Sequence, residues 1–346
     1  MGPQYRSVGR LLLKSCLLAL GLLLPLWLGI ISPAAVVGFF TEPGPALAAL
    51  GIIVLSAQFN VLRWHLLLLW QGHALPIGRV WEISYISWFL GSFLPGAVGA
   101  DALRALYLHR ERAEDRLPAI LTILLDRLLG LASLLILAVG LAALLPAQIA
   151  AQPVLFGLVA LACAGLFGLA ALLPLALWLK GSRLPWLGRW RRLSRLMEDL
   201  AEAAGKSVTG WRERPMRLLI CLALGVASHA LVVLAIVILA RAMNMAALSG
   251  PELSLAATLA VLANQVPITP GGLGIGETSF AEICRLLAPG KAVLAYGSAI
   301  FAFRIAMLLS LMPGAVALLA YRRGAEAKTR SMAESTAATP SSSRAG

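Results

Sequence analysis

Long uninterrupted runs of apolar residues constrain the fold of this chain more than any other feature of its sequence. A helix that crosses the hydrocarbon core of a bilayer needs about 20 mostly apolar residues. Runs of that kind occur at 11–31, 46–70, 117–145, 154–179, 217–240 and 291–320. The chain has 60% hydrophobic and 13% charged residues, whereas a soluble domain carries about 25% charged residues. The sequence therefore excludes a soluble globular protein and predicts an all-α polytopic membrane protein with about six full spans.

The distribution of basic residues predicts how the spans are oriented. Most of the 29 Lys and Arg fall in segments on one side of the predicted topology, whereas Arg241, Arg285 and Lys291 fall on the other side. Because basic residues concentrate in cytoplasmic loops, both termini are expected in the cytoplasm. This asymmetry accounts for the net charge of +13 without nucleic-acid binding.

The stretch 81–110 departs from the pattern of full spans. Basic residues of the predicted cytoplasmic side flank both of its ends, and Pro95, Gly96 and Gly99 interrupt its middle. This pattern predicts two half-helices that meet at a break and return to the same face. Because unpaired amides are costly in lipid, non-helical backbone at that depth must be buried in protein or line a wet cavity. The break is therefore a candidate site.

A second interrupted stretch lies at 253–287. The Pro and Gly residues at its centre are Pro267, Pro270, Gly271, Gly272, Gly274 and Gly276. Because basic residues of the outer side flank this stretch, it is expected to enter from the face opposite to the first. The order span, broken hairpin, span then occurs twice with opposite orientation, as in transporters built from inverted repeats with a site near the midplane.

Residues at the two breaks and charged residues in the apolar runs form the predicted binding set. Its charged members are Arg104, Arg127, Arg304, Asp101, Asp126 and Glu277, and its backbone members are Pro95, Gly96, Gly99, Pro270, Gly271, Gly272 and Gly274. An Arg at the centre of a span costs roughly 2.5–3.5 kcal/mol, so each is expected to face protein or water and to have a partner. Backbone amides combined with Arg forks predict a pocket for phosphate. The alternative is a set of structural ion pairs, including Asp101 with Arg104.

Catalytic and metal-binding patterns are scarce in the sequence. The four Cys and four His are scattered, without the spacing of a metal site or of a catalytic triad. The glycines near 271–276 lack the strand and βαβ context of a nucleotide-binding loop. The sequence therefore predicts no catalytic residue, no metal and no cofactor.

Four motifs in order resemble a known family: FLPGAVGADALRALYL, LLDRLLGL, NQVPITPGGLGIGE and FRIAMLLSLMPGAV. Together they resemble the flippase-like family that includes the transmembrane region of lysylphosphatidylglycerol synthase, over nearly all of residues 5–323. Members are associated with moving aminoacylated phosphatidylglycerol between leaflets, with hopanoid pathways and with polyprenyl-phosphate sugars, and some carry a glycosyltransferase label. Because only a short polar tail follows residue 323, synthesis of the aminoacyl lipid is not expected of this chain alone.

The predicted membrane domain at 1–323 includes one cytoplasmic loop and is followed by a cytoplasmic tail. In the basic loop 180–217, apolar side chains recur with helical spacing from Trp186 to Ala204, which predicts either an interfacial helix on anionic lipid or a solvated connecting helix. The tail 324–346 is rich in Ser, Ala and Thr and is expected to be disordered. Lipid-modifying enzymes are possible partners, and the sequence does not predict an oligomeric state.

Three functions remain open on the sequence. The leading hypothesis is a lipid transporter rather than an enzyme. It would translocate an anionic phosphate-bearing lipid, such as an aminoacyl-phosphatidylglycerol or a polyprenyl-phosphate-linked sugar, in a bacterial inner membrane. Arg104, Arg127 and Arg304 would bind phosphate, while Asp101 and Glu277 would orient them, bind a cationic or sugar head group, or take up protons. The alternatives are an integral membrane glycosyltransferase using a polyprenyl-phosphate sugar, with Asp101 or Glu277 as base, and a non-transporting scaffold in an envelope-lipid complex.

Overall fold

The computed structural model describes residues 32–34, 36–37, 43–92, 98–111, 116–179, 205, 209–243, 247–266, 269, 272–288 and 296–320. Its helices are α1 (Pro43–Trp70), α2 (Ile77–Gly91), α3 (Val98–Glu111), α4 (Arg116–Ala142), α5 (Pro146–Ala151), α6 (Pro153–Leu179), α7 (Pro215–Ala242), α8 (Gly250–Ala263), α9 (Ile275–Leu287) and α10 (Gly297–Ser310). These ranges contain no strand. The prediction of an all-α fold is confirmed.

Five helices in the described part of the chain are long and apolar enough to cross a membrane. They are Pro43–Trp70, Ile120–Ala142, Pro153–Leu172, Pro215–Ala242 and Gly297–Ala320. They match five of the six predicted spans. The predicted first span at 11–31, the tail 324–346 and most of the loop 180–217 lie outside the described residues.

Helices α2 and α3 form a short antiparallel hairpin around the first predicted break. They contain 15 and 14 residues, so at about 1.5 Å per residue neither reaches across a core of about 30 Å. Next to the break, a Cβ on Gly91 would lie 2.6 Å from the Cβ of Ala100, so only glycine permits this close approach of the two helices. At the open end of the hairpin, Arg79 Nη2 donates to Glu111 Oε1 at 2.5 Å. Both arms therefore end on the same side, as the sequence predicts.

Helices α8 and α9 form the second interrupted element. The start of α8 is capped: Ser249 N donates to Glu252 Oε2 at 2.7 Å, and Ser249 Oγ accepts from Glu252 N at 3.4 Å. The chain turns back before α9 through Gly272 and Gly274, whose φ angles are +71° and +84°, a conformation that favours glycine. The helix–break–helix pattern is confirmed for this element, while its entry from the opposite face stays a prediction.

The long helices approach each other closely where polar groups lie inside the bundle. Helix α1 packs along α7, and Ser56 Oγ on α1 donates to the backbone oxygen of Ser228 on α7 at 3.0 Å. A Cβ on Gly225 would lie 2.7 Å from the Cβ of Ser133 on α4 and 3.0 Å from Arg63 Nη1 on α1. Small residues at such crossings let helix backbones come together in lipid. The bundle of α1, α4 and α7 thereby supports a buried arginine beside the two hairpins.

Candidate functional site

A cavity of about 350 Å³ lies between the two interrupted hairpins. The first hairpin contributes Trp88, Gly91, Ser92, Ala100 and Asp101, and the second contributes Asn264, Val266, Thr269 and Gly272. Residues from the long helices complete the wall: Ile53, Ser56, Ala57, Asn60, Arg127, Val232, Phe303, Met307, Ser310 and Leu311. Pockets for small ligands typically measure about 300–1,000 Å³. The cavity is therefore large enough for a lipid head group.

An ion pair lies on the cavity wall. Arg127 Nε on α4 donates to Asp101 Oδ2 in the first turn of α3. The Arg127 side chain keeps 35% of its surface exposed, whereas that of Arg104 keeps 4%. Among the described arginines of this region, Arg127 is thus the one that a ligand in the cavity can reach directly.

A second charged group lies behind this wall, on α1, α3 and α4. Asp126 accepts from Arg63 Nε at 2.7 Å and from Arg104 Nη1 at 3.3 Å. The Arg104 guanidinium also stacks on two indole rings, 4.7 Å from the centroid of Trp64 and 4.9 Å from that of Trp88. Aromatic faces attract cations at such distances. One carboxylate and two rings therefore hold two buried arginines.

The charges of these two groups do not cancel. We call Arg63, Arg104, Arg127, Asp101 and Asp126 the charged cluster, and it carries one net positive charge. Two of its buried nitrogens, Arg63 Nη1 and Arg104 Nε, have no hydrogen-bond partner among the described residues. Because a buried charge without compensation is costly, an anion in the adjoining cavity would stabilise the cluster.

Arg304 and Glu277 form a separate buried pair that shapes the second break. Arg304 Nε donates to Glu277 Oε1 at 2.6 Å, and its Nη2 donates to the backbone oxygen of Gly272 at 2.5 Å. Glu277 is fully buried, and its Oε2 accepts from the backbone nitrogen of Gly274 at 2.9 Å. Asn264 Oδ1 accepts from Arg304 Nη2 at 3.2 Å. Arg304 thus fixes backbone that lines the cavity, without lining the cavity itself.

The structure distributes the predicted binding set over three places. Asp101, Arg127 and Gly272 line the cavity, Arg104 and Asp126 lie behind it, and Arg304, Glu277 and Gly274 hold the second break. Gly99 lies in the first turn of α3, while Pro95, Gly96, Pro270 and Gly271 lie outside the described residues. In this part of the chain, no three His, Cys, Asp or Glu side chains are grouped to hold a metal ion.

Ion pairing differs from the simplest expectation, and one member of the cluster is missing from the predicted set. Asp101 pairs with Arg127 and Arg104 with Asp126, rather than Asp101 with Arg104. Arg63, which lies inside the apolar run 46–70, is not in that set, and it shares Asp126 with Arg104. An Arg in a span that has no acidic neighbour at helical spacing requires a partner from another helix. This requirement is the sequence signal that points to Arg63.

Most of the chain matches a known protein family. A family described as lysylphosphatidylglycerol synthase TM region matches residues 15–314. The matched range includes both hairpins, the charged cluster and every residue that lines the cavity. No curated protein and no solved structure matches the chain.

Proposed function

The chain belongs to the lysylphosphatidylglycerol synthase TM region family, and on that premise we propose that it moves an anionic phosphate-bearing lipid between the leaflets of a membrane. The observation that carries this proposal is the cavity lined by residues on either side of both helix breaks, with Arg127 on its wall and one net positive charge in the charged cluster. A phosphate is the ligand chemistry that such a guanidinium recognises.

Arg127 is the residue that would bind the phosphate. Its planar fork can donate two parallel hydrogen bonds to phosphate oxygens, which fixes orientation as well as charge. In the structure Asp101 accepts from the Nε of this guanidinium, so a lipid phosphate would bind its two Nη groups beside that carboxylate. Asp101 keeps its bond to Arg127 when the phosphate binds, so neither state leaves that carboxylate or the guanidinium without a partner.

The remaining charged residues would position the site. Arg104 and Arg63 share Asp126, which holds α1, α3 and α4 at one point behind the cavity. Arg304 and Glu277 hold the backbone around Gly272. With the head group in this cavity and the lipid chains in the bilayer, the phosphate avoids hydrocarbon, where an isolated charge is strongly disfavoured.

Leaflet exchange in proteoliposomes tests this proposal. Vesicles containing the purified protein and phosphatidylglycerol labelled on an acyl chain are treated with a membrane-impermeant quencher. We expect label from the inner leaflet to become accessible faster than in protein-free vesicles, with the lipid recovered chemically unchanged by mass spectrometry. Equal rates with and without protein for labelled phosphatidylglycerol and polyprenyl-phosphate sugar, or covalently altered lipid from protein in detergent, would contradict translocation.

A further inference from the structure

We infer that the cavity selects an anionic lipid whose head group, beyond the phosphate, is uncharged and hydroxylated, and that it discriminates against head groups that carry an ammonium. Glycerol and sugar head groups share this chemistry, whereas aminoacylated head groups do not. The inference rests on the proposed function and narrows its substrate class.

The state of the carboxylates argues against a cationic head group. Among the described residues that line the cavity, Asp101 is the one acidic side chain, and it is bound to Arg127. Asp126 is buried and shared between two arginines, and Glu277 is fully buried against Arg304. An ammonium would therefore meet no free carboxylate among the described residues. The lipid phosphate already balances the one net positive charge of the cluster, so an added ammonium would leave the site with an uncompensated positive charge.

The neutral polar groups of the wall suit hydroxyls. Ser92 Oγ donates to the Phe89 oxygen at 2.6 Å, and Ser310 Oγ donates to the Met307 oxygen at 2.6 Å. Thr269 Oγ1 donates to the Leu273 oxygen at 2.9 Å. A hydroxyl has one proton and two lone pairs, so each of these three remains an acceptor for a ligand.

Asn60 adds a fourth acceptor on the α1 side of the cavity. Its Nδ2 donates to Ser228 Oγ at 2.7 Å, which leaves Oδ1 for a ligand. Hydroxyl groups of a glycerol or sugar supply the complementary donors. An ammonium is also a donor, so these acceptors alone do not reject it. The charge balance of the site discriminates between an ammonium and a hydroxyl.

Binding and transfer measured separately test the selectivity. The probes are phosphatidylglycerol, lysyl-phosphatidylglycerol with the same acyl chains, and a polyprenyl-phosphoglucose. Binding is measured with the full chain in nanodiscs, and transfer is measured in proteoliposomes. We expect at least one of the two hydroxylated lipids to bind about tenfold or more tightly than the lysyl lipid, the size expected if one of its two ammonium groups lies close to the cluster. The comparison between them shows whether glycerol or sugar fits better.

A charge substitution assigns the selectivity to this wall. Asn60→Asp adds a carboxylate at the cavity and is expected to reduce the preference against the lysyl lipid about tenfold. Gln58→Glu makes the same charge change two residues away, at a side chain bonded to Tyr85 Oη at 2.7 Å, and is expected to leave the preference unchanged.

The outcomes separate this inference from the proposed function. Equal or tighter binding of the lysyl lipid by the unmodified protein would overturn the inference, even if that lipid is transferred. An Asn60→Asp effect no larger than that of Gln58→Glu would overturn the assignment to this wall. Selective binding without transfer would uphold the selectivity and reject translocation.

Discussion

Replacing Arg127 by alanine is expected to slow lipid transfer by about tenfold to a hundredfold. Hydrogen bonds to a charged group contribute about 1.5–3 kcal/mol, and Arg127 is the exposed guanidinium on the cavity wall. Arg127→Lys keeps the charge but loses the fork, so an intermediate rate is expected. The measurement is the rate of leaflet exchange of labelled phosphatidylglycerol in proteoliposomes.

A double substitution distinguishes phosphate binding from a purely structural ion pair. Arg127→Ala leaves Asp101 without its partner, and Arg127→Ala combined with Asp101→Ala removes that unpaired carboxylate. We expect the double variant to remain as slow as the single one. Recovery of the full rate in the double variant would show that Arg127 serves only to hold Asp101. Arg285→Ala, at an arginine whose side chain is 64% exposed and paired with Glu282, is the control and should transfer normally.

Replacing Asp126 by alanine is expected to lower the free energy of unfolding by about 3–5 kcal/mol, because it leaves buried arginines without their counter-ion. Asp126 accepts from Arg63 and Arg104, and all three side chains are buried. The charged cluster would then carry two net positive charges instead of one. Thermal unfolding in detergent measures the change.

An exposed pair provides the matched control for this prediction. Glu282→Ala removes a carboxylate bound to Arg285 at 2.8 Å, where both side chains are exposed, and such pairs contribute about 0–1 kcal/mol. Combining Asp126→Ala with Arg63→Met restores one net positive charge and is expected to recover part of the lost stability. Equal losses in Asp126→Ala and Glu282→Ala would contradict the account of the cluster.

The sequence predicts the helices and their interruptions because these follow from local composition. Apolar runs of sufficient length predict the spans, and Pro and Gly in the middle of such runs predict the breaks, as Gly272 and Gly274 show with their positive φ angles. The charged residues beside the breaks can also be identified from the sequence, because charged side chains are rare in apolar runs. Their involvement in substrate binding remains a prediction for the variants above to test.

The pairing of these charges depends on tertiary packing and could not be read from spacing. Asp101 and Arg104 are three residues apart on α3, but Arg104 lies against Trp64 and Trp88, while Asp101 meets Arg127 from α4. Trp residues in apolar helices give no sequence signal that distinguishes a cation platform from ordinary core packing. Which helices surround the cavity likewise follows from how they pack, not from any one motif.

Filling the cavity tests most directly whether a lipid head group passes between the two hairpins. Ala57 lines the cavity from α1, and Ala57→Trp places an indole in the space proposed for the head group. Ala164→Trp makes the same change at an exposed position of α6. Thermal unfolding first establishes that both variants are folded. We then expect leaflet exchange of labelled phosphatidylglycerol to fall to the protein-free rate for Ala57→Trp and to stay at the rate of the unmodified protein for Ala164→Trp. Full exchange by folded Ala57→Trp would contradict a path through this cavity.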